Sequence, residues 1–142
     1  MRALLDVGVL LALFDEDHVH HVRAREWLSD QAVNGWASCP LTQNGFIRII
    51  SQPKYPKPIS TRNALTLLQA AASTPHHEFW PADLSLLKGS VLHADRIHGP
   101  RQITDIYLLA LAVSRHGFLA TFDRAIPLSA VPDAEPHHLV VL

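Results

Sequence analysis

The chain has 142 residues, 48% of them hydrophobic, which is enough for one domain with its own apolar core. A formal net charge of -1 at pH 7 excludes a strongly basic protein that holds nucleic acid through its overall charge, so any such binding needs a local patch. The single cysteine, Cys39, excludes an internal disulfide and a zinc site built from several cysteines.

The N-terminal segment, MRALLDVGVLLALFDED, places Arg2 before an apolar run, as a signal peptide would. Asp6 interrupts this run and no small-residue cleavage site follows, so we interpret the segment as part of the core. No window reaches the roughly 18 uninterrupted apolar residues that a membrane helix needs. We therefore expect a soluble, cytoplasmic protein.

The first half of the chain predicts two short strands, each followed by helical patterns. ALLDV is a buried strand and LLALF a short helix, with Gly8 at the turn between them. HVHHVRAREWLSDQAV follows as a helix that ends at an Asn-Gly turn signal. WASC is the second strand, and LTQNGFIRIIS, whose apolar positions recur at helical spacing, is the next helix.

The second half begins with QPKYPKPIS, whose three prolines predict an exposed loop. STRNALTLLQAAAS is a capped amphipathic helix, HEFWP a short strand, and ADLSLLKGSVLHADRIHG another helix. The last helix is predicted from its N-cap Thr104 to His116, with Gly117 as C-cap, and the strands FLATF and HHLVVL follow. This alternation predicts a single α/β domain over residues 1–142, with a parallel sheet covered on both faces.

Two aspartates, Asp6 and Asp123, each follow a predicted strand. The carboxyl ends of parallel strands meet at one edge of a sheet, which is where ligands bind. Asp105 begins the last long helix and is expected at the opposite edge if that helix simply runs antiparallel to the sheet. A long preceding loop would instead allow it to reach the carboxyl edge, so its position stays open.

Carboxylates gathered at one edge repel one another unless a hard cation joins them. Mg²⁺ or Mn²⁺, which prefers oxygen ligands and retains water, is the natural occupant of such a site. A bound ion of this kind can orient a water molecule for attack on a phosphodiester. The composition shows only that the acids are available for this chemistry.

Three stretches in order, LLDVGVLLALFDEDHVHH, SCPLTQNGFIRIIS and ITDIYLLALAVSRHGFLATFDRAI, span nearly the whole chain. Together they resemble the PIN-domain ribonucleases of the VapC toxin type, which belong to type II toxin-antitoxin systems. The resemblance implies a compact three-layer α/β/α fold with a mostly parallel central sheet. It also implies RNA cleavage that depends on Mg²⁺ or Mn²⁺, a homodimer, and neutralisation by a VapB-type antitoxin.

By the same resemblance, Asp6, Asp105 and Asp123 match the acidic positions of the family, which places Asp105 in the site as a metal ligand. Gln43 stands where family members usually carry the Glu of TENGF, and we expect it beside the aspartates as an uncharged fourth catalytic position. Gly8 stands where the family motif DVNV has Asn. Both departures favour attenuated activity, and the alternative is a PIN-like protein that binds RNA or antitoxin without cleaving.

Other polar residues have weaker interpretations. His18 and His21 are three apart, but no third ligand follows at a recognisable spacing, so we interpret them as surface or capping residues. The loop around Tyr55 is a candidate contact for RNA or antitoxin. The candidates for phosphate contacts are Arg48, Arg101 and Arg124. The residues expected in the apolar core are Trp27, Trp36 and Trp80.

Overall fold

The computed structural model covers residues 1–142 and contains one five-stranded sheet with the strand order β3-β2-β1-β4-β5. The strands are β1 (Ala3–Leu5), β2 (Trp36–Ser38), β3 (His77–Phe79), β4 (Phe118–Thr121) and β5 (Leu139–Val141). Every neighbouring pair is parallel. The predicted parallel sheet is therefore confirmed, and all five strands lie within the segments expected to form them.

The central strand β1 is apolar throughout because both faces of the sheet are covered. Leu4 pairs with Ala37 of β2 on one side and with Leu119 of β4 on the other. These three residues are fully buried. Asp6, the first residue after β1, therefore emerges from the middle of the sheet.

Five α-helices surround the sheet. They are α1 (Val7–Phe14), α2 (His21–Gln31), α3 (Pro40–Ile50), α4 (Thr61–Ala72) and α5 (Ile103–Ser114). No helix of the structure combines the length and the apolar character that crossing a bilayer requires.

The core has two parts, one on each face of the sheet. Leu4 and Leu119 point towards α5, whereas Leu5 and Phe118 point towards the face formed by the other helices. This division follows from the alternation of side chains along a strand. It produces the three-layer α/β/α arrangement, and the predicted fold class is confirmed.

The predicted helix over residues 82–99 is wrong. This segment is irregular and contains only one short 3₁₀ turn, Ala94–Arg96. Leu84, Val91 and Ile97 pack separately against the α5 side of the core, while the side chain of Leu87 is 95% exposed. The leucines that suggested a helix therefore do not form one continuous buried face.

Further helix ends also differ from the predictions. Gly8 lies inside α1, because that helix begins at Val7 directly after Asp6. Thr104 is not an N-cap, since α5 begins at Ile103 and its first turn has no side-chain cap. At the end of α5, His116 rather than Gly117 takes the positive φ, at 57°.

Candidate active site

Asp6 is held by hydrogen bonds to both of its carboxylate oxygens. As the N-cap of α1, it accepts a hydrogen bond of 2.7 Å at Oδ1 from the main-chain N–H of Val7. Its Oδ2 accepts a second bond of 2.7 Å from the hydroxyl of Thr121, the last residue of β4. The orientation of this carboxylate is therefore set by the start of α1 and the end of β4.

Asp123 lies two residues beyond the end of β4, in a turn that the same threonine organises. The N–H of Asp123 donates to Thr121 Oγ1 over 3.0 Å, and Asp123 Oδ1 accepts from the N–H of Ala125 over 2.7 Å. Thr121 is fully buried and thus connects Asp6 to Asp123. Sequence reasoning missed this residue, although its place two positions before an acid at a strand end was a usable signal.

Asp105 lies in the first turn of α5 and at the carboxyl edge, together with the other two aspartates. Of the two positions that the sequence left open for Asp105, the structure has the carboxyl edge. A helix that leads into a parallel strand must deliver the chain to the amino edge, so it has to begin at the carboxyl edge. Gln102 reinforces this placement, because its Nε2 donates to Ala125 O over 3.1 Å and ties the start of α5 to the turn after β4.

The three aspartates Asp6, Asp105 and Asp123, which we call the aspartate cluster, interact electrostatically. Burial and the negative charges of Asp6 and Asp123 raise the pKa of Asp105 to about 6. Burial also raises the pKa of Asp6, although the hydrogen bonds from Thr121 and Val7 partly oppose that effect. The fold therefore holds close together carboxylates whose negative charges repel one another.

The donor set of the cluster fits a hard divalent cation. Its ligand atoms are oxygens only, and a cation would relieve the repulsion that raises the pKa of Asp105. No three His, Cys, Asp or Glu side chains are arranged to hold an ion together by direct contact. Mg²⁺ does not require such a cage, because it usually keeps several waters and binds through one or two carboxylates.

Gln43, which the family resemblance places beside the aspartates, makes its side-chain hydrogen bond to another residue and none to the aspartate cluster. Gln43 Nε2 donates to Ser38 Oγ over 3.0 Å, and Ser38 Oγ lies 2.8 Å from His77 Nε2. The side chain also lines a cleft against α4. On the opposite side of α3, Gly45 faces α1, since a Cβ there would lie 2.6 Å from Val7 Cγ2.

Gln43→Glu is therefore expected to change RNA cleavage by no more than about threefold, because the new charge faces α4 and is screened by solvent. The variant should lose roughly 1 kcal/mol of stability, since Glu cannot donate to the buried Ser38 hydroxyl when ionised. Cleavage rates and thermal melts measure both effects. Gln69→Glu, which adds the same charge to the same cleft, is the matched control. A tenfold rise in cleavage for Gln43→Glu alone would instead place this position beside the aspartate cluster.

Two of the predicted phosphate-binding arginines flank the cluster. Arg101 lies in the 3₁₀ turn Pro100–Gln102 that leads into α5, and Arg124 immediately follows Asp123. Neither forms a salt bridge, so both guanidinium groups are available to a ligand. Arg48 lies apart from them, in a cleft at the end of α3.

The proline-rich loop is docked against the turn after α1. Its Tyr55 hydroxyl donates to Asp15 Oδ2, and Lys57 Nζ lies 2.7 Å from Asp17 Oδ2.

Trp36 and Trp80 are buried as expected, and Trp27 is half-buried in the core on the α1–α4 side. All three tryptophans therefore contribute to the apolar core.

Comparison with protein-family models matches residues 3–132 to the PIN domain. The chain is 56% identical over 142 residues to Ribonuclease VapC44 of Mycobacterium tuberculosis, with full coverage of both proteins. It is 43% identical over 132 residues to Ribonuclease VapC39 of the same organism, covering 92% of this chain and 94% of the relative. Both relatives therefore match along nearly their entire length.

Among solved structures, the chain resembles one from the crystal structure of VapBC2 from Rickettsia felis bound to a DNA fragment from their promoter. The TM-score is 0.59 and the alignment covers 100% of this chain and 98% of the other. Sequence identity is 14%, so this similarity shows a shared fold.

Proposed function

The chain belongs to the PIN-domain family and, within it, to the VapC ribonucleases, and on that premise we propose that it is a toxin that cleaves RNA phosphodiester bonds. We propose further that a divalent metal ion assists cleavage and that a VapB-type antitoxin neutralises it. The observation that carries this proposal is the aspartate cluster at the carboxyl edge of the sheet. Residues 1–142 would act as one PIN domain, as a homodimer, in the cytoplasm where RNA is present.

Asp6, Asp105 and Asp123 would hold Mg²⁺ or Mn²⁺, directly or through water. When bound, such an ion supplies an activated water and stabilises charge on the leaving oxygen. Asp6 is suited to a fixed role, since Thr121 and Val7 set its orientation before any ligand arrives. Arg101 and Arg124 would contact phosphates on either side of the cleaved bond and so position the RNA backbone.

A purified preparation of the chain, incubated with single-stranded RNA and Mg²⁺, tests the substrate and the partner together. We expect cleavage within the RNA, and suppression of cleavage when a cognate VapB-type antitoxin is added. Light scattering of the same preparation should give the mass of a homodimer. Binding of RNA without any cleavage would overturn the proposed activity and support the non-cleaving alternative.

The raised pKa of Asp105 predicts a pH-dependent cost to stability in the metal-free protein. The pKa of Asp105 is about 6 in the folded chain, whereas its ordinary value is 3.8. Protonation of Asp105 therefore stabilises the folded state. This stabilisation is fully present below about pH 3.8 and is lost as the pH rises through 6. In the Asp105→Asn variant, the side chain at this position carries no ionisable group. Without metal, we expect this variant to melt at a higher temperature than the unaltered chain near pH 7.5, with the gap closing as the pH falls towards 4.

Mn²⁺ should act in the opposite direction, because it binds the ionised cluster and therefore the folded state. Near pH 7.5 it should raise the melting temperature of the unaltered chain and have much less effect on Asp105→Asn. Near pH 5, where Asp105 is mostly protonated, its effect should shrink. Equal Mn²⁺ stabilisation of the two proteins near pH 7.5 would exclude Asp105 as a ligand.

A further inference from the structure

An exposed histidine lies flat on an aromatic residue next to the aspartate cluster. The rings of His20 and Phe122 have centroids 4.4 Å apart and planes 16° apart, which is a stacked arrangement. Phe122 is half-buried and packs into the core on the α1–α4 side, whereas His20 is exposed. We call this pair the His20–Phe122 stack.

The loop that carries His20 is fixed on both sides of that residue. The main-chain N–H of His20 donates to His18 Nδ1 over 3.0 Å, and His21 Nδ1 lies 2.7 Å from Ala12 O. His18 and His21 are thus used within the fold. The ring nitrogens of His20 make no hydrogen bond or salt bridge, although His20 is the residue before α2 and could have capped it.

The stack occupies the rim of the candidate active site. Phe122 stands between Thr121, which holds Asp6, and Asp123 of the cluster. Because successive strand residues point to opposite faces, Thr121 faces the α5 side and Phe122 the α1–α4 side. An RNA strand that leaves the aspartate cluster towards the α1–α4 side would therefore pass over the His20–Phe122 stack.

We propose that His20, supported by Phe122, stacks against an RNA base close to the cleaved phosphodiester. Every base offers a π face, and stacking on aromatic side chains is a general means of holding unpaired RNA. A ring already fixed by Phe122 loses little freedom when a base is added. This inference rests on the proposed ribonuclease function and assigns a substrate contact outside the acidic residues.

The test begins with a synthetic single-stranded RNA of mixed sequence, on which the main cleavage position is mapped. The kcat and KM for this RNA are then measured for the unaltered chain, His20→Ala and His20→Phe, with Val19→Ala as the exposed neighbouring control. We expect His20→Ala to raise KM about tenfold with a smaller change in kcat, which lies within the range for loss of one stacked base. His20→Phe should restore most of the affinity, and Val19→Ala should have no effect.

Abasic nucleotides placed one at a time on each side of the cleavage position provide the decisive comparison. At one position, removal of the base should raise KM for the unaltered chain. On the RNA that lacks this base, His20→Ala should have the same KM as the unaltered chain. If the unaltered chain cleaves RNA and His20→Ala cleaves it equally well, the inference is overturned while the proposed function stands. If His20→Ala weakens inhibition by antitoxin alone, the stack is a protein contact and the inference is likewise overturned. If the unaltered chain cleaves no RNA, the proposed function and this inference both fail.

Discussion

Asp105→Asn is expected to lower RNA cleavage at least about 100-fold while the protein remains folded. Removal of one preorganised charge from a catalytic site typically has an effect of this size, equivalent to roughly 2.7 kcal/mol of transition-state stabilisation. Asp105 is the most informative of the three aspartates, because its pKa responds to both of the others. Asp6, in contrast, also caps α1 and accepts a hydrogen bond from Thr121, so its replacement would disturb the local fold.

The measurement is kcat/KM on one RNA at saturating Mg²⁺, accompanied by a thermal melt of each protein. Asp95→Asn is the matched control, since the Asp95 side chain is 83% exposed and pairs only with its neighbour Arg96. Greater stability together with a loss of activity would show that Asp105 is kept for function at a cost to the fold. Cleavage by Asp105→Asn within threefold of the unaltered chain would contradict its assignment to the site.

The largest effect on stability is expected from Trp80→Ala. Trp80 is only 2% exposed, its indole N–H donates to Glu78 Oε1 over 2.8 Å, and its ring packs where Gly117 lacks a side chain. A Cβ at Gly117 would lie 2.6 Å from the Trp80 ring, so the two residues fit closely. Loss of a fully buried Trp typically costs about 3–5 kcal/mol, because the site cannot collapse around the cavity.

For a chain of this length, that loss corresponds to a fall of roughly 10–15 °C in melting temperature. Calorimetry of the metal-free protein near neutral pH measures it directly. Trp27→Ala is the control, since Trp27 is half-buried and contacts Phe118 edge-on with ring centroids 6.3 Å apart. We expect it to cost less than half as much. A larger loss for Trp27→Ala than for Trp80→Ala would contradict this description of the core.

The strands and the long helices were predictable because their signals are local. Strands buried on both faces read as short apolar runs, and the turn residues around them limit their length. The helix prediction for residues 82–99 failed because the structure of this segment depends on contacts that are not local. Its leucines and alanines have high helix propensity, but their burial is decided by separate contacts with α5, which spacing along the chain does not reveal.

The acidic site was predictable only in part. The positions of Asp6 and Asp123 could be predicted because each follows a strand, and ligands bind at the carboxyl edge of a parallel sheet. The position of Asp105 could not be predicted in this way, because it depends on the edge of the sheet at which α5 begins. Gln43 shows a further limit. Residues two apart on a helix point about 200° away from each other, so a motif match to α3 cannot by itself say which side chain faces Asp6. Thr121 was missed because a threonine in an apolar strand has an ordinary structural explanation.

Cleavage of one defined RNA during removal and return of Mg²⁺ tests the central claim most directly. We predict that cleavage occurs with Mg²⁺, stops when a chelator is added, and resumes when Mg²⁺ is supplied in excess. Asp105→Asn should remain at least about 100-fold slower at every Mg²⁺ concentration. Unchanged cleavage in the presence of the chelator, or equal Mg²⁺ dependence of the two proteins, would contradict a divalent metal site formed by Asp6, Asp105 and Asp123.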